Sequence, residues 1–282
     1  MSYIFPEKIF ATTLNKYIQC PFKFKCHNDT EVKEKFIASP ESFVGTVMHL
    51  VLKDFFDIKK TPIKERKDQD LGEMLRYFWA RVPKNGWSKE YWSSEERVEL
   101  FGSKEQEKAF GLQAMAMLNN YISGSDLSVI PLALEDWMDC EIGDFRIAGC
   151  IDRIDQDSDS LISVWDYKTG KLPFYKDIEK IIEEDVQIPI YAIIASKLHP
   201  FAKKIRAGLI YVKYSRIFDK TWDKEELKEL EGKLVNIIKT VKDDNTLLPK
   251  INKLCPWCEY KDICPSKDKI AERYTKIEEV NW

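Results

Sequence analysis

Asp166-Tyr167-Lys168 is the densest piece of candidate chemistry in the chain. It follows the apolar run Leu161, Ile162, Val164 and Trp165, which reads as a β-strand. Side chains alternate faces along a strand, so Asp166 and Lys168 share one. Asp152 lies in a second apolar stretch, Gly149-Cys150-Ile151-Asp152-Arg153-Ile154-Asp155, read as the end of the preceding strand. Adjacent pairing would bring both carboxylates and the lysine together. Such a set holds a hard cation, which polarises a phosphoryl oxygen and lowers the pKa of a bound water. The lysine can orient that water and stabilise charge developing on the phosphate. An Asp-x-Lys in isolation is ordinary surface charge, but charges that close buried strands need partners.

His49 is one of three histidines. It sits beside the apolar stripe Val44, Val47, Met48, Val51, Leu52, Phe55 and Phe56 of a helix expected over 43–57. Taken alone it reads as a core histidine bonded to backbone. Facing two carboxylates, it would complete a metal site and bring manganese in alongside magnesium. Gln187 and Tyr191 stand four residues apart and share a face of a helix expected over 183–198. They read either as a rim pair or as groove residues touching nucleic-acid backbone or the lysine. Pro189 between them fits a first helical turn.

The seven cysteines are an odd number, and three fall within ten residues: Cys255, Cys258 and Cys264. In a reducing compartment such clusters bind metal more often than they form disulfides. Three thiolates need a fourth partner, from among Cys20, Cys26, Cys140 and Cys150. The last two lie on expected strands and read as core residues. Cys20-Pro21 echoes Cys255-Pro256 and Cys264-Pro265, which selects Cys20, with Cys26 next. Spacing alone fits zinc and iron–sulfur equally. A site joining Cys20 to Cys255 would tie distant parts of the chain, worth about 5 kcal/mol by analogy with a disulfide.

The elements that must position these groups change character along the 282 residues. Helical spacing is expected over 12–19, capped by Thr12 or Thr13, then over 43–57, 70–82 and 95–122, the last broken at Gly102 or Gly111. From about residue 130 the pattern becomes strand, turn at Gly143-Asp144, strand and third strand. A helix, a strand over 205–214, a polar-faced helix over 223–242 and an irregular tail from Leu248 follow. This order argues α/β (α+β), with a helical insertion before a mixed sheet. Lys plus Arg number 44 against 47 Asp plus Glu, net −3, which excludes a polycation that coats nucleic acid by charge alone. No apolar run approaches the ~20 residues of a membrane span. The start of the chain also lacks a signal-peptide pattern. The expectation is an intracellular, cytoplasmic protein with no membrane partner.

Together these pieces resemble the PD-(D/E)XK nucleases of the RecB type, in particular the iron–sulfur branch with the AddB nuclease domain and CRISPR-associated RecB-like exonucleases. Thr13 to Phe22 is similar to the opening cysteine motif, and Gly45-Thr46-Val47-Met48-His49 to the histidine motif. Gly149 to Asp155 is similar to the first acidic motif, Asp166 to Gly170 to the D-x-K motif, and Gln187 to Tyr191 to Q-x-x-x-Y. Cys255, Cys258 and Cys264 match the closing triplet. Each motif is weak; six in order are not.

The resemblance implies a restriction-endonuclease-like core over 129–215 in a single domain of 1–282. N-terminal helices would occupy 1–57, a helical insertion 58–128, and a C-terminal helix with the cluster segment 216–282. It implies Mg2+ or Mn2+ on His49, Asp152, Asp166 and the Tyr167 carbonyl. Asp152, Asp166, Lys168, Gln187 and Tyr191 would form the catalytic set. It implies a 4Fe-4S cluster on Cys20, Cys255, Cys258 and Cys264, favouring iron over zinc. The expected activity is a DNA exonuclease acting on single strands or ends, with Trp87, Trp92 or Tyr175 as candidate base-stacking residues. No G-x-x-x-x-G-K-[ST] loop is present, so cleavage would be ATP-independent or served by a motor on another chain. The competing readings are a DNA-binding adaptor docking on an integrase or motor, and a zinc-stabilised structural protein.

Overall fold

A computed structural model describes residues 3–32, 38–84, 89–172, 182 and 186–278. Among these the helices are α1 (Ala11–Gln19), α2 (Pro21–His27), α3 (Pro40–Phe56), α4 (Ile63–Arg66), α5 (Leu71–Trp79), α6 (Ser94–Phe101), α7 (Lys104–Ser123), α8 (Gln187–Leu198), α9 (Lys224–Asp243) and α10 (Lys267–Glu278). The strands are β1 (Lys8–Phe10), β2 (Ala133–Ile142), β3 (Phe145–Ser158), β4 (Leu161–Lys168), β5 (Lys204–Tyr211) and β6 (Arg216–Asp223). The chain forms two compact units. One comprises Met1–Lys35, Asp139–Ala148 and Glu229–Trp282; the other comprises Phe36–Met138 and Gly149–Lys228.

In the larger unit β3 pairs antiparallel with β4, β4 parallel with β5, and β5 antiparallel with β6. A parallel pair needs a crossover, and α8 supplies it, packing on β4 and β5. This is a mixed sheet flanked by helices, as the sequence pattern predicts. Helix α3 is the spine of the helical part. Ser39 caps it reciprocally with Ser42, and Pro40 occupies the first turn, where its missing N–H costs nothing. Its stripe from Phe43 to Phe56 is buried with Leu75, Phe101 and Leu118 of α5, α6 and α7. Arg66 is almost fully buried and donates to the carbonyls of Phe56, Thr61, Leu127 and Val129, so its charge is spread over backbone acceptors.

The smaller unit sets β1 parallel against the start of β3, with Lys8 opposite Arg146. Here α1 and α2 meet the tail, where two single 3-10 turns, Cys255–Trp257 and Lys261–Ile263, precede α10.

Several expectations need correction. Neither Thr12 nor Thr13 caps α1; β1 runs straight into the helix at Phe10, and Thr13 is buried. The helix over 95–122 breaks at Gly102, whose φ of 86° closes α6, whereas Gly111 lies inside α7. The strand over 205–214 ends at Tyr211 in a 3-10 turn. Edge strand β6, short β1 and helix α10 were not expected at all. Asp152 lies in mid-strand, because β3 continues to Ser158. Trp92 packs on Phe43 rather than standing open to a base, while Trp87, Tyr175 and the 183–185 start of the expected helix lie outside the described residues.

Candidate active site

Pairing of Arg153 with Trp165 places Asp152 and Asp166 one step further along adjacent strands, on the same face. Asp152 is 6% exposed and Asp166 3%, so neither carboxylate is surface charge. The Asp152 Oδ2 accepts the Tyr167 N–H at 2.6 Å, which locks the two strands at this point. The opposite face is pinned as firmly. Asp155 accepts from Arg153 Nε at 2.8 Å and from Trp165 Nε1 at 3.0 Å, and the Arg153 guanidinium lies 4.2 Å from the centre of the Phe56 ring.

Helix α3 delivers His49 to the acidic face. Its Nδ1 lies 2.7 Å from Glu135 Oε1 and 3.6 Å from Asp152 Oδ2, and its Nε2 lies 3.2 Å from the Tyr167 carbonyl oxygen. Burial alone would lower its pKa. The charges and hydrogen bonds of Asp152 and Glu135 outweigh that and hold the imidazole protonated well above its ordinary range. Glu135 is the residue that sequence reading missed. Its strand carries Asp136, Asp139 and Glu141 as well, so nothing in the local pattern singles it out. The structure does: its φ is 46°, a left-handed conformation that costs a non-glycine residue about 1–3 kcal/mol. A ligand atom each from His49, Glu135 and Asp152 lie within 4.8 Å of one another, the only such trio of metal-ligating side chains among the described residues.

Lys168 completes the other side. Its Nζ is 2.6 Å from Asp166 Oδ2 and donates to Gln187 Oε1 at 3.3 Å. The Lys168 ammonium is the charge beside that buried oxygen. Burial first, then the charge of Asp152, pushes the Asp166 carboxyl up to about 7, against the pull of Lys168. Gln187 Nε2 donates to Asp166 Oδ1 at 2.7 Å and to the Tyr191 hydroxyl at 2.9 Å. Tyr191 in turn donates to the Cys150 carbonyl at 2.7 Å. Gln187 therefore does touch the lysine, but Tyr191 is 5% exposed and reaches the site only through Gln187. Pro189 falls in the first turn of α8, where it is tolerated.

Gly149 makes this arrangement possible. A Cβ there would run into the Tyr191 ring, which is buried and packed. Gly149→Ala is expected to cost about 1–3 kcal/mol by overpacking. Thermal unfolding checks this, and an unchanged midpoint would show that the ring yields freely.

The site presents three carboxylates, one imidazole and one backbone carbonyl, with the His49 proton and Lys168 as the compensating positive charges. This oxygen-rich set with one nitrogen fits magnesium or manganese. Cys150, expected in the plain core, instead points its Sγ to within 3.8 Å of Glu135 Oε2, and burial pushes its thiol up to about 12.

The smaller unit brings Cys20, Cys255, Cys258 and Cys264 around one small cavity, closed by Phe22, Tyr260 and Ile270. Each sulfur accepts a backbone N–H: Cys20 from Lys250 and Cys255 from Asn252, both at 3.3 Å, Cys258 from Tyr260 and Cys264 from Ser266. Cys26 is fully buried in the adjoining core and does not line the cavity.

A crystal structure of a presumed exonuclease from Eubacterium rectale superposes with a TM-score of 0.51 at 13% identity, covering 90% of this chain and 88% of that one. The structure of SSO0001 is 15% identical over 94% of this chain and 89% of that one, with a TM-score of 0.38. No curated protein matches the sequence. The profile described as the PD-(D/E)XK nuclease superfamily matches residues 10–265, a span that takes in both acidic strands, the lysine and both cysteine motifs, and the chain belongs to that superfamily.

Proposed function

We propose that the protein is a metal-dependent DNA exonuclease of the RecB-type iron–sulfur branch, acting on single strands or DNA ends. The observation that carries the reading is the meeting of His49, Asp152, Asp166 and Lys168 on one partly open face. The exonuclease name of the Eubacterium rectale relative points the same way. His49, Asp152, Asp166 and the Tyr167 carbonyl would hold the ion, with Glu135 as a further oxygen donor. The ion would supply Lewis-acid polarisation of the phosphate and activation of water. Lys168, the most open of these side chains at 34% exposed, would meet the non-bridging oxygens and stabilise their developing charge. Gln187 fixes the rotamer of Asp166 and the height of Lys168, and Tyr191 fixes Gln187. The test is product length over time from end-labelled linear and circular DNA, with Mg2+ or Mn2+ and with chelator. Loss of linear substrate from its ends, abolished by chelator, is expected; equal cutting of circles would rule out an exonuclease.

The ion competes with protons. His49 must shed one to become a ligand, and so must Asp166 where it is still protonated near neutrality. Both shifts are upward, so affinity is low below them and rises with pH through and above neutrality. The expected slope is up to about tenfold per pH unit for each proton released. Calorimetric titration of Mn2+ in two buffers of different ionisation heat counts those protons. An affinity flat across neutral pH would contradict the assignment.

For the second site the reading is a 4Fe-4S cluster on Cys20, Cys255, Cys258 and Cys264. Four sulfurs around one small cavity suit a tetrahedral set of thiolates, and the likeness of the two cysteine motifs to the iron–sulfur branch favours iron. The four amide donors suit thiolates, and Lys23, Lys250 and Lys261 at the cavity wall would offset the cluster's charge of about −2.

A further inference from the structure

We propose that the cleft between α3, α7 and the Val212–Tyr214 turn seats one nucleotide of a single-stranded DNA substrate, next to the phosphodiester being cut. The inference rests on the nuclease reading and adds a substrate subsite to it. The cleft has a volume of about 540 Å3, within the roughly 300–1,000 Å3 usual for small-ligand sites. Its place in the chain fixes its nearness to the chemistry. Thr169 and Lys171 on its wall directly follow Lys168, and Gly45, one turn of α3 before His49, would carry a Cβ 3.4 Å from Thr169 Oγ1.

The wall chemistry matches a nucleotide. Phe110, Gln113 and Met117 stand at i, i+3 and i+7 of α7, so one helix face offers an aromatic ring, an amide and a thioether. The ring and thioether suit the face of a base, and the amide its edge. Lys171 and Lys213 are exposed at the lining and complement phosphate. Glu41 also lines the cleft, and its carboxylate disfavours an anion there but can accept from a base N–H such as thymine N3. The turn bearing Lys213 is fastened to α7. Asn120 Nδ2 donates to the Lys213 carbonyl at 3.1 Å, and Ser215 Oγ donates to the Asn120 carbonyl at 2.9 Å. A cleft held this way is preformed, which keeps the ordering cost of binding low.

The experiment is binding of fluorescein-labelled oligo(dT) to the full chain in chelator, read by anisotropy over a range of salt. Thymidine monophosphate competes in a second arm. Lys213→Ala is expected to weaken oligo(dT) about tenfold and to reduce the slope of log affinity against log salt by about one. Phe110 packs on Phe101 with ring centres 5.2 Å apart, so Phe110→Leu keeps the packing while removing the stacking face. It is expected to weaken binding about fivefold or more with the salt slope unchanged. Lys228→Ala, exposed and outside the cleft, should match the parent. Competition by the mononucleotide that fades in Lys213→Ala supports a site for a single nucleotide unit. Parent-like affinity and slope in Lys213→Ala and Phe110→Leu would overturn the proposal, as would a parent that fails to bind oligo(dT). Cleavage is scored separately. If Asp166→Ala cuts like the parent while the cleft variants still lose binding, the nuclease centre is wrong and the cleft stands. If the parent cuts and the cleft variants bind and cut as it does, only the cleft is wrong.

Discussion

Replacing Asp166 or Lys168 by alanine is expected to lower metal-dependent cleavage of labelled single-stranded DNA by about a thousandfold, or about 4 kcal/mol of transition-state stabilisation. The two losses should differ in kind. Asp166 is buried, with Gln187 Nε2 on one oxygen and the Lys168 ammonium beside the other. Its removal strips an oxygen ligand and leaves two donors without their carboxylate, so Asp166→Ala should lose Mn2+ binding as well as turnover. Lys168 carries no lone pair to offer a cation. Lys168→Ala removes a positive charge from beside Asp166, so Mn2+ should bind at least as well while cleavage fails. Lys168→Arg should recover little, because a planar guanidinium cannot occupy the place of a compact ammonium between Asp166 and Gln187. Calorimetry of the ion beside single-turnover cleavage separates the effects. Cutting at the parent rate by either alanine variant would remove these residues from the catalytic centre, and loss of Mn2+ binding in Lys168→Ala would mean the lysine only holds the fold.

The groups legible in the sequence are those whose chemistry conflicts with their local setting. Asp152 and Asp166 interrupt apolar strands that would otherwise be buried, and the structure spends that polarity on the Tyr167 N–H and on Gln187. The hairpin at Gly143 was legible for a similar reason, since a φ of 53° is most easily met by glycine. Glu135 was hidden because it is one of four acids in β2 and stands directly beside Asp136, while its left-handed backbone and its contact with His49 appear only in the fold. Strand β6 was hidden because an edge strand buries little: Trp222 is its one buried residue and Ile217 is exposed. Helix α10 carries just Ile270, Tyr274 and Ile277 as large apolar residues among many charges, directly after a segment whose prolines argue for irregular structure. What the sequence conveys poorly is what tertiary pairing decides.

Cys258→Ala is expected to yield a colourless, less stable protein where the anaerobically purified parent is brown. The site joins α1 and α2 to the C-terminal tail, so losing it frees a long loop, worth at most about 5 kcal/mol in the chain-entropy model. Direct contacts remain. Lys250 Nζ donates to the Ile18 carbonyl at 3.2 Å, Asn252 Nδ2 to the Gln19 carbonyl at 3.1 Å, and Lys23 pairs with Glu259 at 3.1 Å. The tail should therefore loosen without detaching, and the melting temperature should fall by an amount below the full loop value. Cys26→Ala is the sharper comparison. Cys26 lies in the same core, fully buried beside Phe22 and Tyr260, but off the cavity wall. Its loss should cost only packing, about 1–2 kcal/mol, and leave the colour intact. If Cys26→Ala bleaches the protein and Cys20→Ala does not, the fourth ligand has been misassigned. If the parent is itself colourless and carries zinc, the cluster assignment is wrong, and the chain belongs to a branch without it.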